Sequence, residues 1–161
     1  MAPDVSERGM APGTGPRAEP LLLAVTAVHG FTRACAARGD APAFAMLASY
    51  YARVAGAAGA AGGRVVKVMG DSVLVTFPPA RAADAVRVLH AVRLDATAAW
   101  QGFDPGCTVH VKAGLGTVTC GMLGPLGEER CDIVGSALNA LFKASWSDLA
   151  LPDTVDGLRT L

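Results

Sequence analysis

Two short runs of β-branched and apolar residues, joined by a tight turn, constrain this chain more than any other feature. The runs cover residues 64–68 and 72–77, and only Met69, Gly70 and Asp71 lie between them. A connection this short joins antiparallel neighbours, because parallel strands need a crossover of about a dozen residues or more. The sequence therefore predicts an antiparallel hairpin whose apolar side must be buried by the rest of the chain.

The apolar spacing on either side of the hairpin predicts a strand and two long helices. An almost uninterrupted apolar run over residues 21–28 is typical of a strand in the middle of a sheet. Stripes with three- and four-residue steps predict helices from Ala41 to just before Gly62, and from the residues after Pro79 to near Trp100. The stripes consist of Phe44, Leu47, Tyr51 and Val54 in the first helix, and of Ala82, Val86, Leu89, Val92 and Ala96 in the second.

Apolar and polar residues alternate after the second helix. Residues 107–113 predict a fourth strand, which Gly114 and Gly116 end. Its buried face consists of Cys107, Val109, Val111 and Ala113, and its polar face of Thr108, His110 and Lys112. A short fifth strand at 117–120, a loop at 121–130 and a last helix at 135–145 complete the prediction.

This order of elements predicts an α+β fold, a ferredoxin-like antiparallel sheet with helices on one face. The chain has 161 residues, of which 52% are hydrophobic, enough for one compact domain and too few for two. Four prolines and scattered charges predict a disordered tail over residues 1–20, and the domain covers residues 21–161. The chain ends soon after the last predicted helix, so we expect either a C-terminally truncated domain or a minimal form.

Charge, hydropathy and cysteine spacing exclude several classes of protein. Fourteen basic residues balance fourteen acidic ones, so we expect neither nucleic acid nor an anionic membrane as a partner. The longest apolar runs have only strand length and no signal segment is present, so we expect no membrane span and a cytoplasmic protein. The four cysteines lack C-x-x-C spacing and are expected to be free buried thiols. His29, His90 and His110 are too scattered for a metal cluster, and we expect structural roles for them.

Three segments carry the most specific pattern in the sequence. In chain order they are Thr26-Ala27-Val28-His29-Gly30-Phe31-Thr32, residues 62–77 with Gly-Gly, Lys67 and Gly70-Asp71 before an apolar strand, and Cys131-Asp132-Ile133-Val134-Gly135-Ser136-Ala137-Leu138-Asn139. Together they resemble the class III adenylate and guanylate cyclase domain, over roughly residues 21–143. The fold of that family is the ferredoxin-like fold that periodicity predicts here.

The resemblance implies a metal site that is incomplete. In the family, two aspartates hold two magnesium or manganese ions over the nucleoside triphosphate, one from the end of the first strand and one from the hairpin turn. Asp71 matches the hairpin aspartate, whereas the first-strand position is Ala27. Because magnesium needs hard oxygen ligands, we expect the ion to bind weakly and the ATP cyclisation of the family to be impaired.

The resemblance also implies how a nucleotide is recognised. Lys67 and Asp132 match the pair with which adenylate cyclases recognise adenine, so we expect ATP or a related nucleotide as the ligand. The backbone amides around Gly30, Phe31 and Thr32 match the turn that wraps the triphosphate.

Two residues of the last helix match catalytic positions of the family. Asn139 corresponds to the asparagine that orients the ribose, and Lys143 stands where the family has an arginine on the transferring phosphate. The four-residue spacing places both on one helix face, although lysine lacks the planar fork of arginine.

Family active sites form between two protomers, which leaves several arrangements open for this chain. In a homodimer both sites share the Ala27 defect, whereas a heterodimer with a metal-competent cyclase has one complete site. A further possibility within the enzyme reading is that the chain alone still cyclises ATP slowly. The alternative is a non-catalytic pseudo-cyclase that serves as a nucleotide-binding, dimerisation or regulatory module.

Overall fold

The computed structural model describes residues 15–161, which form a five-stranded antiparallel sheet and four α-helices. The strands are β1 (Arg17–His29), β2 (Arg64–Met69), β3 (Ser72–Phe77), β4 (Thr108–Leu123) and β5 (Arg130–Val134), and the helices are α1 (Phe31–Arg38), α2 (Asp40–Ala60), α3 (Ala82–Phe103) and α4 (Ser136–Lys143). The strand order is β2-β3-β1-β4-β5, with every pair antiparallel. The predicted α+β fold is confirmed. None of the helices in this part of the chain has the length and apolar character to cross a bilayer.

Buried side chains form one cluster on each face of the sheet. On the first face, α2 and α3 cover β1 and β3, and the largest side chains are Phe77, Tyr50 and Trp100. On the opposite face, α4 packs against β1, β4 and β5 through Leu138 and Leu141. The two long helices therefore share one face, as predicted, and the unpredicted α1 lies on the same face. α4 departs from the prediction by covering the other face.

The first strand begins earlier than the predicted domain boundary. β1 starts at Arg17, and residues 17–20 pair with β4, so the predicted tail is wrong at these residues. Residues 1–14, the rest of that tail, lie outside the described part. β3 pairs with β1 only from Leu22 onward, so Pro20 has a neighbouring strand on one side only. A proline is tolerated there because the open edge needs no donor.

β4 is one continuous strand, although the sequence predicts a break at Gly114 and Gly116. A Cβ at Gly116 would lie 2.4 Å from the Cβ of Ala137 on α4, and a Cβ at Gly114 would lie 2.6 Å from Leu161 Cγ. The two glycines therefore admit close neighbours without ending the strand. The loop predicted at 121–130 is shorter in the structure, because β4 continues to Leu123.

The long helices agree with the prediction better than the short one. All five apolar positions predicted for α3 are buried. In α2 the buried stripe contains Ala43, Tyr50 and Val54, whereas Phe44, predicted to be buried, is 76% exposed. α1 was not predicted, because only Ala34 of its eight residues is buried and no apolar stripe marks it.

The residues after α4 run along the outer edge of β4. Ala150 forms an isolated bridge with Lys112, and Thr160 forms one with Leu115. The N–H of Ala113 donates to the carbonyl of Leu149 at 3.2 Å. These contacts cover part of an edge that would otherwise expose unpaired backbone groups.

Candidate nucleotide site

The hairpin turn places Asp71 beside the end of β1. The backbone carbonyl of Asp71 accepts a hydrogen bond from the N–H of Val28 at 3.0 Å, and its carboxylate accepts one from Ser72 Oγ at 3.1 Å. Ala27 is the register partner of Ser72. The two positions that the resemblance assigns to metal ligands are therefore neighbours, and one of them carries only a methyl group.

A two-metal centre does not fit these residues. Within residues 15–161, no three His, Cys, Asp or Glu side chains come together in a way that could hold a metal ion. Asp71 is the one carboxylate that the turn supplies, and its neighbour across the strands is Ala27. Hard divalent cations take several oxygen ligands, so a single carboxylate is a poor site for two of them.

The two histidines nearest Ala27 come together, which sequence reasoning missed. His110 is the register partner of Ala27, and its ring stacks on His29 with centroids 3.8 Å apart and planes 7° apart. The edge of this stack contacts Trp146, and the Nε2 atom of His110 lies 3.0 Å from Thr108 Oγ1. Only the strand register could have revealed the pair, because 80 intervening residues separate the two histidines in the sequence.

The environment of His110 favours the neutral imidazole. Burial is the main cause that lowers the pKa of His110, and the nearby His29 and Arg93 lower it further. The stacked imidazoles of His29 and His110 therefore flank the methyl group of Ala27, where a carboxylate and a cation are expected from the resemblance.

The predicted base-recognition residues form an ion pair. Lys67 Nζ lies 2.8 Å from Asp132 Oδ2, although β2 and β5 occupy opposite ends of the strand order. A second contact between the same strands joins Arg64 to the Sγ of Cys131 at 3.2 Å. The sheet must curve strongly to bring its outer strands together, and α4 lies inside this curve. The N–H of Ile133 also donates to Asp132 Oδ1 at 2.7 Å, which fixes the carboxylate.

The turn after β1 leaves backbone donors free. Gly30 has φ +88°, and a Cβ there would lie 2.6 Å from the carbonyl oxygen of Gly106, so only glycine fits. The first intrahelical bond of α1 runs from the N–H of Ala34 to the carbonyl of Gly30. The amides of Phe31 and Thr32 lie in the first turn, where α-helical bonds do not use them. An anion is stabilised by such donors.

The two residues of α4 lie on its solvent side. Asn139 and Lys143 are exposed, whereas Leu138 and Leu141 face the sheet. α4 covers the sheet face on which Ala27 lies, since alternate residues of β1 from Leu21 to Val25 contact it. The structure thus places α4 on the same side of the sheet as Ala27.

One residue of the predicted polar face is buried. Lys112 is only 4% exposed, because the end of α4 and the residues after it cover the middle of β4. Its Nζ donates to the carbonyls of Phe142 and Ala144, at 3.1 and 2.8 Å. The prediction of a solvated polar face is therefore wrong at this position, while Thr108 and His110 are half-buried.

Comparisons with known proteins identify the fold. A scan against protein-family models and a search of curated proteins found no match. Among solved structures, the guanylyl cyclase Cya2 matches with a TM-score of 0.71 and 19% identity, over 81% of this chain and 71% of that one. The adenylyl cyclase CyaB from P. aeruginosa matches with a TM-score of 0.69 and 20% identity, over 81% of this chain and 72% of that one.

A third match concerns a cyclase with a bound nucleotide analogue. The catalytic core of a rhodopsin-guanylyl cyclase with converted specificity, solved in complex with ATPαS, has a TM-score of 0.63 and 24% identity, over 81% of this chain and 73% of that one. The chain therefore has the fold of a class III nucleotide cyclase homology domain. At these identities the likeness concerns the fold alone.

Proposed function

We propose that this chain is an adenylate cyclase-type homology domain that binds an adenine nucleotide and is impaired in catalysis on its own. The observation that carries the proposal is the ion pair between Lys67 and Asp132. Both side chains are partly exposed, at 36% and 27%, so the pair can still meet a ligand. A buried structural pair would have no such access.

The hydrogen-bonding capacity of the pair suits adenine. The carboxylate of Asp132 accepts from Lys67 and from the N–H of Ile133, and it has capacity for further donors. Adenine offers an amino group at position 6, where guanine has a carbonyl. An acceptor facing an acceptor leaves a polar group unpaired, at a cost of about 1–3 kcal/mol. The Lys67 ammonium suits a ring nitrogen of adenine in the same way.

The phosphate and ribose side of the proposed site consists of backbone amides and two side chains. The unused N–H groups of Phe31 and Thr32 suit a triphosphate. Asn139 would orient the ribose, and Lys143 would supply a point charge to the transferring phosphate. In the proposed reaction, the ribose 3′-hydroxyl loses its proton to water and its oxygen attacks the α-phosphorus. The bond from the α-phosphorus to the bridging oxygen breaks, and pyrophosphate leaves.

The metal side of the proposed site is defective. Family members use magnesium or manganese ions to neutralise the phosphates, and Asp71 is the residue of this chain that would contact such an ion. The methyl group of Ala27 and the stacked imidazoles of His29 and His110 beside it offer no negative charge. We therefore propose little or no ATP cyclisation by the isolated chain.

The β4–β5 hairpin supports a role in association. Its exposed apolar side chains are Met122, Leu123 and Leu126, and Leu126 is 97% exposed. Several exposed apolar side chains on one hairpin suit an interaction site. In a homodimer both sites would contain Ala27, so the productive arrangement is a heterodimer in which a metal-competent cyclase supplies both aspartates.

The same hairpin favours a second candidate function. A pseudo-cyclase that only dimerises would use the apolar surface around Leu126 without any nucleotide chemistry. The two candidates differ in one property, since only the first requires Lys67 and Asp132 to meet a base.

A paired assay of the purified chain tests the proposal. ATP binding is measured by calorimetry and ATP turnover by product formation, each with magnesium and with manganese. The expected result is binding with little or no turnover. Turnover at the rate of ordinary cyclases contradicts the proposed defect, and absence of ATP binding leaves the dimerisation module as the function.

A further inference from the structure

Lys112 is a buried charged residue whose position the proposed site does not yet explain. Among the described residues, Lys112 and Asp104 are the charged side chains that are buried. Burying a lysine is costly, and here burial lowers the pKa of Lys112. A side chain in this position needs good polar partners to offset that cost.

The partners of Lys112 are the backbone carbonyls at the end of α4. Its Nζ donates to the carbonyl of Phe142 at 3.1 Å and to that of Ala144 at 2.8 Å. The last carbonyls of a helix have no partner within it, and the helix dipole favours positive charge there. The Trp146 ring, with its centroid 4.7 Å from Nζ, covers the amino group.

The two anchored carbonyls belong to the residues on either side of Lys143. α4 has only eight residues, and a helix this short has little stability of its own. The direction in which Lys143 points therefore depends on how its backbone is held. Leu138 and Leu141 fix the helix against the sheet, while Lys112 fixes its last turn.

We propose that Lys112 is a positioning residue, which fixes the last turn of α4 so that Lys143 reaches the phosphates of a bound nucleotide. This inference rests on the proposed function, because it assigns Lys143 to the phosphates. Lys112 itself is buried beneath the helix and acts through the backbone. Substituting an apolar residue for Lys112 removes the donors and leaves two carbonyls unpaired.

Calorimetry with ATP and with adenosine separates positioning from general stability. In Lys112→Met, ATP affinity is expected to fall about tenfold, while adenosine affinity stays within about twofold of wild type. Lys112→Arg keeps the donors and is expected to retain ATP affinity. Val92→Ala creates a cavity in the core on the opposite face of the sheet and controls for lost stability. It is expected to leave the ratio of ATP affinity to adenosine affinity unchanged.

A double variant tests whether Lys112 acts through Lys143. If it does, Lys112→Met combined with Lys143→Met binds ATP no more weakly than Lys143→Met alone. Additive losses, or equal losses for ATP and adenosine, overturn the proposal.

Amide hydrogen exchange tests whether Lys112 anchors α4 without requiring that the chain bind ATP. Exchange at residues 141–144 is expected to be about tenfold faster in Lys112→Met than in wild type, and unchanged in Lys112→Arg. If the wild-type chain binds no ATP, the proposed function is contradicted, and exchange alone decides whether Lys112 anchors α4. Unchanged exchange in Lys112→Met overturns the anchor.

Discussion

Ala27 is the single residue that most alters the chemistry of the proposed site. Its register partners are Ser72 and His110, and Asp71 lies next to Ser72. A carboxylate at position 27 would face the same space as Asp71 and would supply the missing hard ligand. We predict that Ala27→Asp raises ATP turnover by at least about tenfold in the presence of manganese or magnesium.

An isosteric variant controls for this change. Ala27→Asn has nearly the size of Ala27→Asp without the charge, and it is expected to leave turnover at the wild-type level. Adding Lys143→Arg to Ala27→Asp is expected to raise turnover further, because a guanidinium binds a phosphate with two parallel bonds. Equal turnover in Ala27→Asp and wild type, with fold and association intact, contradicts the metal argument.

His110 makes the free energy of unfolding depend on pH. The pKa of His110 is lowered in the folded state, so the unfolded chain takes up a proton first as the pH falls. The stability that neutral His110 contributes is therefore present above a pH of about 6.5 and is lost below it, down to the lowered folded pKa. Arg93 nearby adds positive charge and opposes protonation of His110.

Urea unfolding at about pH 7.5 and about pH 5.5 measures this dependence. The free energy of unfolding of wild type is expected to be lower at the acidic pH than at the higher one. This drop is expected to be smaller in His110→Gln. His90→Gln, which changes a histidine outside the stack, is expected to keep the wild-type drop. Identical drops in all three proteins rule out a contribution from His110.

Motif spacing could predict some of the site residues. It missed others because their positions depend on strand register and on burial by distant parts of the chain. Lys67, Asp71 and Asp132 belong to segments with a recognisable pattern, and the structure brings Lys67 and Asp132 together. The stack of His29 on His110 depends on the register between β1 and β4, which no local pattern specifies. The burial of Lys112 depends on a cover that includes Phe142 and Ala144, which lie 30 and 32 positions later in the chain.

At the scale of elements, Gly116 determines how closely α4 approaches β4. A Cβ at this position would lie 2.4 Å from the Cβ of Ala137, so one of the two elements must move. We predict that Gly116→Ala lowers the free energy of unfolding by about 1–3 kcal/mol, measured by urea denaturation. Gly56→Ala is the matched control, because nothing lies within 4 Å of its Cβ on α2. It is expected to stabilise by about 0.5–1 kcal/mol. A free energy of unfolding that is the same in Gly116→Ala as in wild type contradicts the packing argument.

Elements with strong periodicity could be predicted, whereas those that depend on distant contacts could not. α3 buries its apolar stripe as predicted, and the tight turn predicts the β2–β3 hairpin. The continuity of β4 was missed, because a glycine in a strand has the same local signature whether it ends the strand or admits a neighbour. The stripe of α2 was wrong at Phe44, since alanines rather than the aromatic residue face the sheet.

At the scale of the whole molecule, the exposed β4–β5 hairpin predicts association. We expect the wild-type chain to form dimers in sedimentation equilibrium, and Leu126→Asp to remain monomeric with unchanged thermal stability, because a charge opposes burial of this surface. Phe44→Asp places the same charge on an exposed apolar residue of α2 and is expected to dimerise like wild type. A wild-type chain that stays monomeric at high concentration contradicts this prediction.

The most direct test of the central claim is calorimetric titration of the chain with ATP and with GTP. The account predicts that ATP binds about ten- to a hundredfold more tightly, and that Lys67→Glu combined with Asp132→Cys removes this preference. The matched control removes another partly exposed ion pair, by Arg53→Gln combined with Asp95→Asn between α2 and α3, and is expected to keep the preference. Binding of GTP as tight as that of ATP, or tighter, contradicts the assignment of Lys67 and Asp132 to adenine.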